Sequence, residues 1–209
     1  MSDNMLGVRE VSGVVTDLLE KLGGENGKEW LVETKRFLRK EPCWSRPSKP
    51  FSIWMTINVG GVSKDELQRC LEDNDSYISF GARDIMGKPE FKTSVEPNKV
   101  PFVLIKVRDL GFTKEPTTQE LFNGARLAPF NLALCEPEDG PHLRLALTDQ
   151  SFNSWFYIAM KPITDTGGVP NVFRVVRDTD DSRWLRARSA SPDGLWSLWE
   201  EVVFRSHKI

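Results

Sequence analysis

The first 41 residues have the hydrophobic spacing of two helices. Apolar residues recur at intervals of three and four from Val8 to Leu22, which places them on one face of a helix that a Gly-Gly pair ends. Asn26 is suited to cap a second helix, which continues until Pro42 stops it. The pattern predicts a helical hairpin over 1–41. We expect the stripe of the first helix to pack within its own chain, with a dimer seam as the alternative.

A proline-containing segment follows the hairpin. Residues 42–50 contain three prolines and two serines, a composition typical of linkers. The segment predicts a boundary between the hairpin and a second domain that covers residues 51–209.

Two strand-helix units open this second domain. Residues 51–59 are rich in aromatic and β-branched residues, and the S-x-x-E capping box of Ser63 and Glu66 follows. Residues 102–107 form a nearly continuous apolar run, which is typical of a central strand. Thr117 and Glu120 form a second capping box. Each unit is therefore predicted to be a strand followed by a helix.

The hydrophobic period changes to two from residue 143 onward. Turn-forming residues interrupt this C-terminal half, 143–209, every 8 to 15 residues, which indicates antiparallel strands. The predicted strands are 143–148, 155–161, 172–177, 183–188 and 199–205. The fold class is therefore predicted to be α+β, with a helical hairpin, two strand-helix units and a C-terminal antiparallel sheet region of about five strands.

Composition limits the classes of protein that fit. A chain of 209 residues with 39% hydrophobic content can bury a sizeable core. A net charge of -2 argues against a surface that is positive throughout. The three cysteines and two histidines have no zinc-site spacing, so no cofactor is predicted. Without a signal peptide or a membrane span, the chain is predicted to be cytoplasmic, as a monomer or a homodimer.

The strand at 183–188 carries the candidate binding residues. Strict alternation places Trp184, Arg186 and Arg188 on one side of it, and the preceding strand adds Arg174. If Arg174 pairs beside Arg186, guanidinium groups flanked by an indole could hold phosphate or stack on a base. The alternative is a solvated face that the acidic turn at 178–181 neutralises.

Three other sets of residues have candidate roles. Lys35, Arg36, Arg39 and Lys40 on the second helix could contact a phosphate backbone, although a solvated helix face explains them as well. Four tryptophans could stack on sugar rings or bases, or fill the core: Trp155, Trp184, Trp196 and Trp199. The acidic clusters at 136–139 and 178–181 could hold a divalent cation but fit turns better.

No catalytic residue is assigned, because the chain lacks a nucleophile elbow and phosphate-loop spacings. The sequence therefore favours a non-catalytic binding or regulatory module for nucleic acid or another anionic ligand. A small metal-dependent hydrolase or nuclease is one alternative. The other is a protein-interaction subunit that docks through its N-terminal helix.

Several longer stretches resemble a known group of sequences. They are EWLVETKRFLRKE at 29–41, GKPEF at 87–91, DLGF at 109–112, LALCEPEDGPHLRLALTDQ at 132–150, WFYIAMKPITDTGG at 155–168, VFRV at 172–175, Trp184-Leu185 and WEEVVFR at 199–205. Together they resemble a family of short hypothetical proteins from candidate-phylum bacteria of the Parcubacteria type, over residues 28–209. The resemblance implies a bacterial cytosolic setting and transfers no activity to any residue.

Overall fold

The computed structural model describes residues 8–40 and 51–206, and it divides the chain into two compact units, Met1–Ser48 and Lys49–Ile209. We call them the helical unit and the sheet unit. The predicted linker at 42–50 lies outside the described residues. No helix among the described residues is both long enough and apolar enough to cross a membrane.

The helical unit contains two helices that contact each other, α1 (Val8–Gly23) and α2 (Gly27–Leu38). Asn26 occupies the predicted cap position of α2, but its side chain makes no capping hydrogen bond. None of the side chains of α2 is buried. Large apolar side chains of both helices are exposed, including Val14, Leu19, Phe37 and Leu38.

The sheet unit is an α+β structure, as the sequence predicts. Its described residues, 51–206, form the helices α3 (Lys64–Asp73), α4 (Phe80–Gly87), α5 (Thr118–Arg126) and α6 (Asp139–Ala146), and Val107–Leu110 forms a 3-10 turn. Its strands are β1 (Met55–Val59), β2 (Ser76–Ile78), β3 (Asn98–Lys106), β4 (Leu132–Ala133), β5 (Ser154–Ile158), β6 (Ile163–Thr164), β7 (Pro170–Arg177), β8 (Arg183–Ser189) and β9 (Glu201–Ser206).

The strands form one mixed sheet, which corrects the prediction of an antiparallel region of about five strands. The order is β1-β3-β9-β5-β7-β8-β2, with β4 beside β9 and β6 beside β7. The pairs β5 with β9 and β2 with β8 are parallel, and the other pairs are antiparallel. The physical reason is that β9 inserts between β3 and β5, so the C-terminal strands join the earlier ones in one sheet.

The predicted strand at 143–148 is wrong, because residues 143–146 belong to helix α6 and Leu147 follows it as the C-cap. Alternating leucines suggested a period of two, but Leu143 and Leu147 lie four residues apart and are both buried. Pro141 stands in the first turn of α6, where the missing backbone N–H costs no helical hydrogen bond. Arg144, between the leucines, is also buried.

Helices cover the two faces of the sheet differently. On one face, Gly140 of α6 lies against Phe173, and Gly81 of α4 lies against Ala187, which is opposite Phe173 in the ladder. On the other face, Phe122 of α5 packs edge-on against Phe204, with ring centroids 6.4 Å apart. Helix α5 therefore covers the second face at β9. Helices α4 and α6, which contact β7 and β8, lie on the first face.

Candidate functional site

A row of aromatic and arginine side chains crosses the second face of the sheet from β2 to β5. The ladder places Tyr77 beside Trp184 and places Arg186 directly opposite Arg174. Arg174 is also opposite Tyr157, so Trp155, two residues before Tyr157, is on the same face. We call the surface of Tyr77, Trp184, Arg186, Arg174 and Trp155 the arginine–aromatic face.

The planar groups of this face lie against one another. The rings of Tyr77 and Trp184 stack with centroids 4.9 Å apart. The Arg186 guanidinium lies 4.8 Å from the Trp184 ring centroid, and the Arg174 guanidinium lies 4.6 Å from that of Trp155. The Trp184 indole N–H donates to Ser182 Oγ at 2.9 Å, which fixes the ring. Tyr77 is 56% exposed and Trp155 is 40% exposed, so the rings remain accessible.

The arginines of the face differ in their partners. Arg186 forms an ion pair with Asp178, with Nη2 2.5 Å from Oδ2. Arg174 has no ion pair among the residues that the structure describes, and its Nε is buried without a hydrogen-bond partner. A buried donor without an acceptor is costly, so its presence in a folded protein calls for an explanation. Arg174 is therefore the arginine of this face whose charge has no carboxylate partner among the described residues.

Arg188 belongs to the same face but contacts buried groups. Its Nη1 lies 3.1 Å from Glu200 Oε2, and its guanidinium lies 4.2 Å from the ring centroid of the buried Trp196. It also lies 4.6 Å from the ring centroid of Tyr157. Burial and the nearby Glu200 charge raise the pKa of Tyr157, so this phenol stays protonated. These contacts give Arg188 a role in holding the aromatic cluster together.

A cleft lies beside the arginine–aromatic face at Trp155, the member of the face on β5. Trp155 and Trp199 both line this cleft, which has a volume of about 520 Å³, and we call it the Trp155–Trp199 cleft. Trp199 is 67% exposed, and the Arg108 guanidinium lies 4.6 Å from its ring centroid. The remaining lining residues are mostly polar: Lys106, Asn153, Ser154, Tyr157, Ser197, Glu200 and Glu201.

The other predicted contact residues lie in the helical unit. Lys35, Arg39 and Lys40 are exposed. Arg36 is half-buried and pairs with Glu33, with Nη1 3.1 Å from Oε1. These four residues are therefore near one another on α2 and its C-terminal end, in a different unit from the arginine–aromatic face.

In the acidic turn at 178–181, each carboxylate contacts a different partner. Asp178 pairs with Arg186, Asp181 pairs with Arg177, and Asp180 Oδ1 accepts hydrogen bonds from Ser182. Among residues 8–40 and 51–206, no group of three or more His, Cys, Asp or Glu side chains is arranged to hold a metal ion.

Neither Cys135 nor the group of Ser94, Glu138 and His142 is arranged as a nucleophile activated by a histidine. Burial, the nearby charge of Asp139 and a hydrogen bond with it raise the pKa of the Cys135 thiol, so it stays protonated. Ser94 Oγ donates to Glu138 at 2.5 Å, whereas His142 Nε2 accepts from the Gly60 N–H at 3.1 Å. The His142 nitrogen is thus occupied by a backbone N–H, and the Ser94 hydroxyl donates to a carboxylate and not to an imidazole.

Sequence reasoning missed Tyr77 as a candidate residue. It lies on β2, a three-residue strand inside a segment that has no clear period, and only its parallel pairing with β8 brings it to Trp184. Trp155 and Trp199 were identified as possible platforms, but the sequence carried no signal that they line one cleft.

Comparison of the chain with protein-family models, with curated proteins and with solved structures gave no match. The resemblance to the Parcubacteria-type family therefore stays a prediction.

Proposed function

We propose that the protein is a non-catalytic binding module that holds single-stranded nucleic acid on the arginine–aromatic face. One observation carries this proposal: aromatic rings and guanidinium groups lie beside one another across four adjacent strands on a part of the sheet that leaves them accessible. Aromatic rings provide a stacking surface for any base, and an arginine provides a planar cation for a phosphate.

The size of the face suits a short stretch of a single strand. Adjacent strands of a sheet are about 4.8 Å apart, so the three steps from β2 to β5 span about 14 Å. A nucleic acid that crosses the strands could stack on Tyr77 or Trp184 at one end and on Trp155 at the other. Arg174 lies between them, where a phosphate would approach a cation without an ion-pair partner.

A single strand fits this face better than a duplex does. In a duplex the bases are stacked on one another, so their ring faces are closed to protein side chains. Duplex binding also depends on many phosphate contacts and a broad positive field, whereas this chain has a net charge of -2. The face therefore favours recognition through stacking, with few phosphate contacts.

Fluorescence anisotropy with a labelled oligonucleotide tests the proposal. Trp155→Ala removes one stacking ring, and the loss of about 1–3 kcal/mol per base corresponds to a 5- to 150-fold weaker affinity. Arg174→Ala should make the dependence of log affinity on log salt concentration shallower by about 0.7, the value for one phosphate contact of a single strand. The matched control is Arg126→Ala, which removes an exposed arginine from the end of α5.

Thermal melting must show that each variant is folded. A folded wild-type chain that binds no single strand contradicts the proposal. So does a result in which Trp155→Ala and Arg174→Ala both bind like the Arg126→Ala control.

The exposed apolar residues of the helical unit favour a second candidate function, self-association. Val14 is 70% exposed and Leu38 is 73% exposed, and a pair of short helices cannot bury such residues alone. We infer that a second copy of the unit covers them as an antiparallel four-helix bundle. Helix α1 carries three acidic and two basic residues, and α2 carries two acidic and three basic residues, so α1 of one copy complements α2 of another.

Light scattering of the full chain over a range of concentrations tests this self-association. The wild type should be a dimer, and Leu19→Glu should be a monomer. Val95→Glu changes an 87% exposed residue of the sheet unit and should stay dimeric. A wild-type chain that is monomeric at high concentration overturns the idea.

A further inference from the structure

We infer that the Trp155–Trp199 cleft receives one ribonucleoside of the bound strand, so that the protein prefers single-stranded RNA to single-stranded DNA. This inference rests on the proposed function and names its substrate class. The cleft and the arginine–aromatic face share Trp155, so a strand that leaves the face at β5 enters the cleft directly.

The two tryptophans of the cleft are held in place although both are exposed. Arg174 lies over the ring of Trp155 and Arg108 lies over the ring of Trp199, each at 4.6 Å from the centroid. Such contacts stabilise a defined ring orientation without burying the ring completely. Two oriented indoles in one cleft provide surfaces for a flat base and for the apolar side of its sugar.

The charges of the cleft favour a nucleoside over a phosphate. Its lining contains Glu200 and Glu201 but one cation, Lys106, which is opposite Glu201 in the ladder between β3 and β9. Glu200 Oε2 is occupied by Arg188 and by the Ser197 N–H. The lining residues therefore offer a phosphate no surplus of positive charge, whereas an uncharged base and sugar need none.

Hydrogen-bonding groups of the cleft suit a ribose hydroxyl. The Glu201 carboxylate can accept a hydrogen bond from a 2′-hydroxyl, and the Asn153 amide can both donate and accept. Ser154 Oγ donates to Ser151 O and can still accept. Asn153 lies in the turn immediately before β5 and has a φ of 51°, which is in the left-handed region. The 2′-hydroxyl is the group by which proteins distinguish RNA from DNA.

The volume of the cleft agrees with this occupant. About 520 Å³ lies within the range of roughly 300–1,000 Å³ for sites that bind small organic molecules. The cleft is therefore large enough for one nucleoside.

The test compares single-stranded RNA and DNA oligonucleotides of the same sequence at the same salt concentration. A hydrogen bond from the 2′-hydroxyl to a carboxylate should make RNA bind about tenfold more tightly than DNA. Glu201→Gln should reduce the ratio of the RNA and DNA affinities to about one, with the DNA affinity changed by less than about twofold. Trp199→Ala removes a ring that can stack on the base of either nucleic acid, so it should weaken binding of both and also reduce the ratio to about one. Phe80→Ala is the control, since it removes an 88% exposed ring from α4 and should keep the preference.

Each result has a distinct consequence. If the wild type binds RNA and DNA equally and Arg174→Ala weakens both, this inference is wrong and the proposed function stands. If RNA is preferred but Glu201→Gln and Trp199→Ala keep the preference, the cleft is not its origin and the inference is also wrong. If neither nucleic acid binds to the folded wild type, both proposals fail.

Discussion

Replacing Arg144 by methionine should destabilise the sheet unit by about 3 kcal/mol. This side chain is 1% exposed and stands near the C-terminal end of α6. Its guanidinium donates to Leu147 O, to Val176 O at 3.0 Å and to Gln150 Oε1 at 2.6 Å. Arg144 thereby supplies hydrogen-bond donors to three acceptors: the Leu147 carbonyl at the end of α6, the Val176 carbonyl of β7 and the Gln150 side chain in the loop that follows α6.

The magnitude follows from the three acceptors that lose their donor. Each buried acceptor without a partner costs about 1–3 kcal/mol. Burial and the charges of Arg183 and Arg177 lower the pKa of Arg144 to about 10, which shows that its charge is unfavourable there. Because methionine relieves that charge, we expect about 3 kcal/mol, the low end of the sum. Alanine also lacks the three apolar heavy atoms that methionine keeps beyond Cβ, at about 0.8 kcal/mol each, so Arg144→Ala should cost about 5 kcal/mol.

Urea and thermal unfolding, followed by tryptophan fluorescence, measure both values. A loss of about 3 kcal/mol should lower Tm by roughly 6–12 °C in a domain of this size. Arg83→Met is the control, because Arg83 and its partner Glu72 have side chains 49% and 50% exposed, and such pairs contribute little. A methionine variant within about 1 kcal/mol of the wild type would refute the reasoning about unsatisfied acceptors.

Two further predictions concern helix α6 and its surroundings. Burial lowers the pKa of His142, so the unfolded chain binds more protons at acidic pH, and the free energy of unfolding should fall as pH drops below about 6.5. His142→Gln should flatten this dependence in urea unfolding at pH 5 to 8, and an unchanged slope would contradict it. A Cβ at Gly140 would lie 2.9 Å from the Phe173 ring, so Gly140→Ala should cost about 1–3 kcal/mol. Gly13→Ala, where nothing lies within 4 Å, should not destabilise the chain; equal effects of the two substitutions would argue against overpacking.

Local signals in the sequence predicted where helices α3 and α5 begin. Ser63 accepts from the Glu66 N–H, which begins α3 as predicted. Thr117 and Glu120 form a capping box with both hydrogen bonds present, at the start of α5. Such signals succeed because all the groups involved lie within four residues of one another. Neighbouring residues in the chain therefore suffice to predict them.

Pairing between distant strands could not be predicted in the same way. β9 lies between β3 and β5, although about 95 residues separate Lys106 from its partner Glu201. A period of two indicates that a segment is a strand but carries no information about its neighbour or the direction of the pair. The parallel pairs of the mixed sheet were missed for this reason.

The same difference between local and distant contacts applies to the candidate site. A short turn joins β7 to β8, so the sequence could raise the pairing of Arg174 with Arg186 as a condition, and the ladder places the two residues opposite each other. The exposure of the tryptophans could not be predicted. Trp196 is 1% exposed because its indole N–H donates to Thr118 and its ring packs beside Phe122 of α5.

Trp199, three residues later, is 67% exposed and lines the cleft. Both tryptophans lie in one loop with serine, leucine and glutamate neighbours. They differ because Trp196 contacts residues that are distant in the chain, on α5, β5 and β8. A substitution that displaces α5 should therefore expose Trp196 and leave Trp199 unchanged. Thr118→Val, which removes the hydrogen bond to the Trp196 indole and keeps the shape, should shift the tryptophan emission to longer wavelength and increase its quenching by acrylamide. An unchanged emission spectrum would mean that ring packing alone is sufficient to bury Trp196.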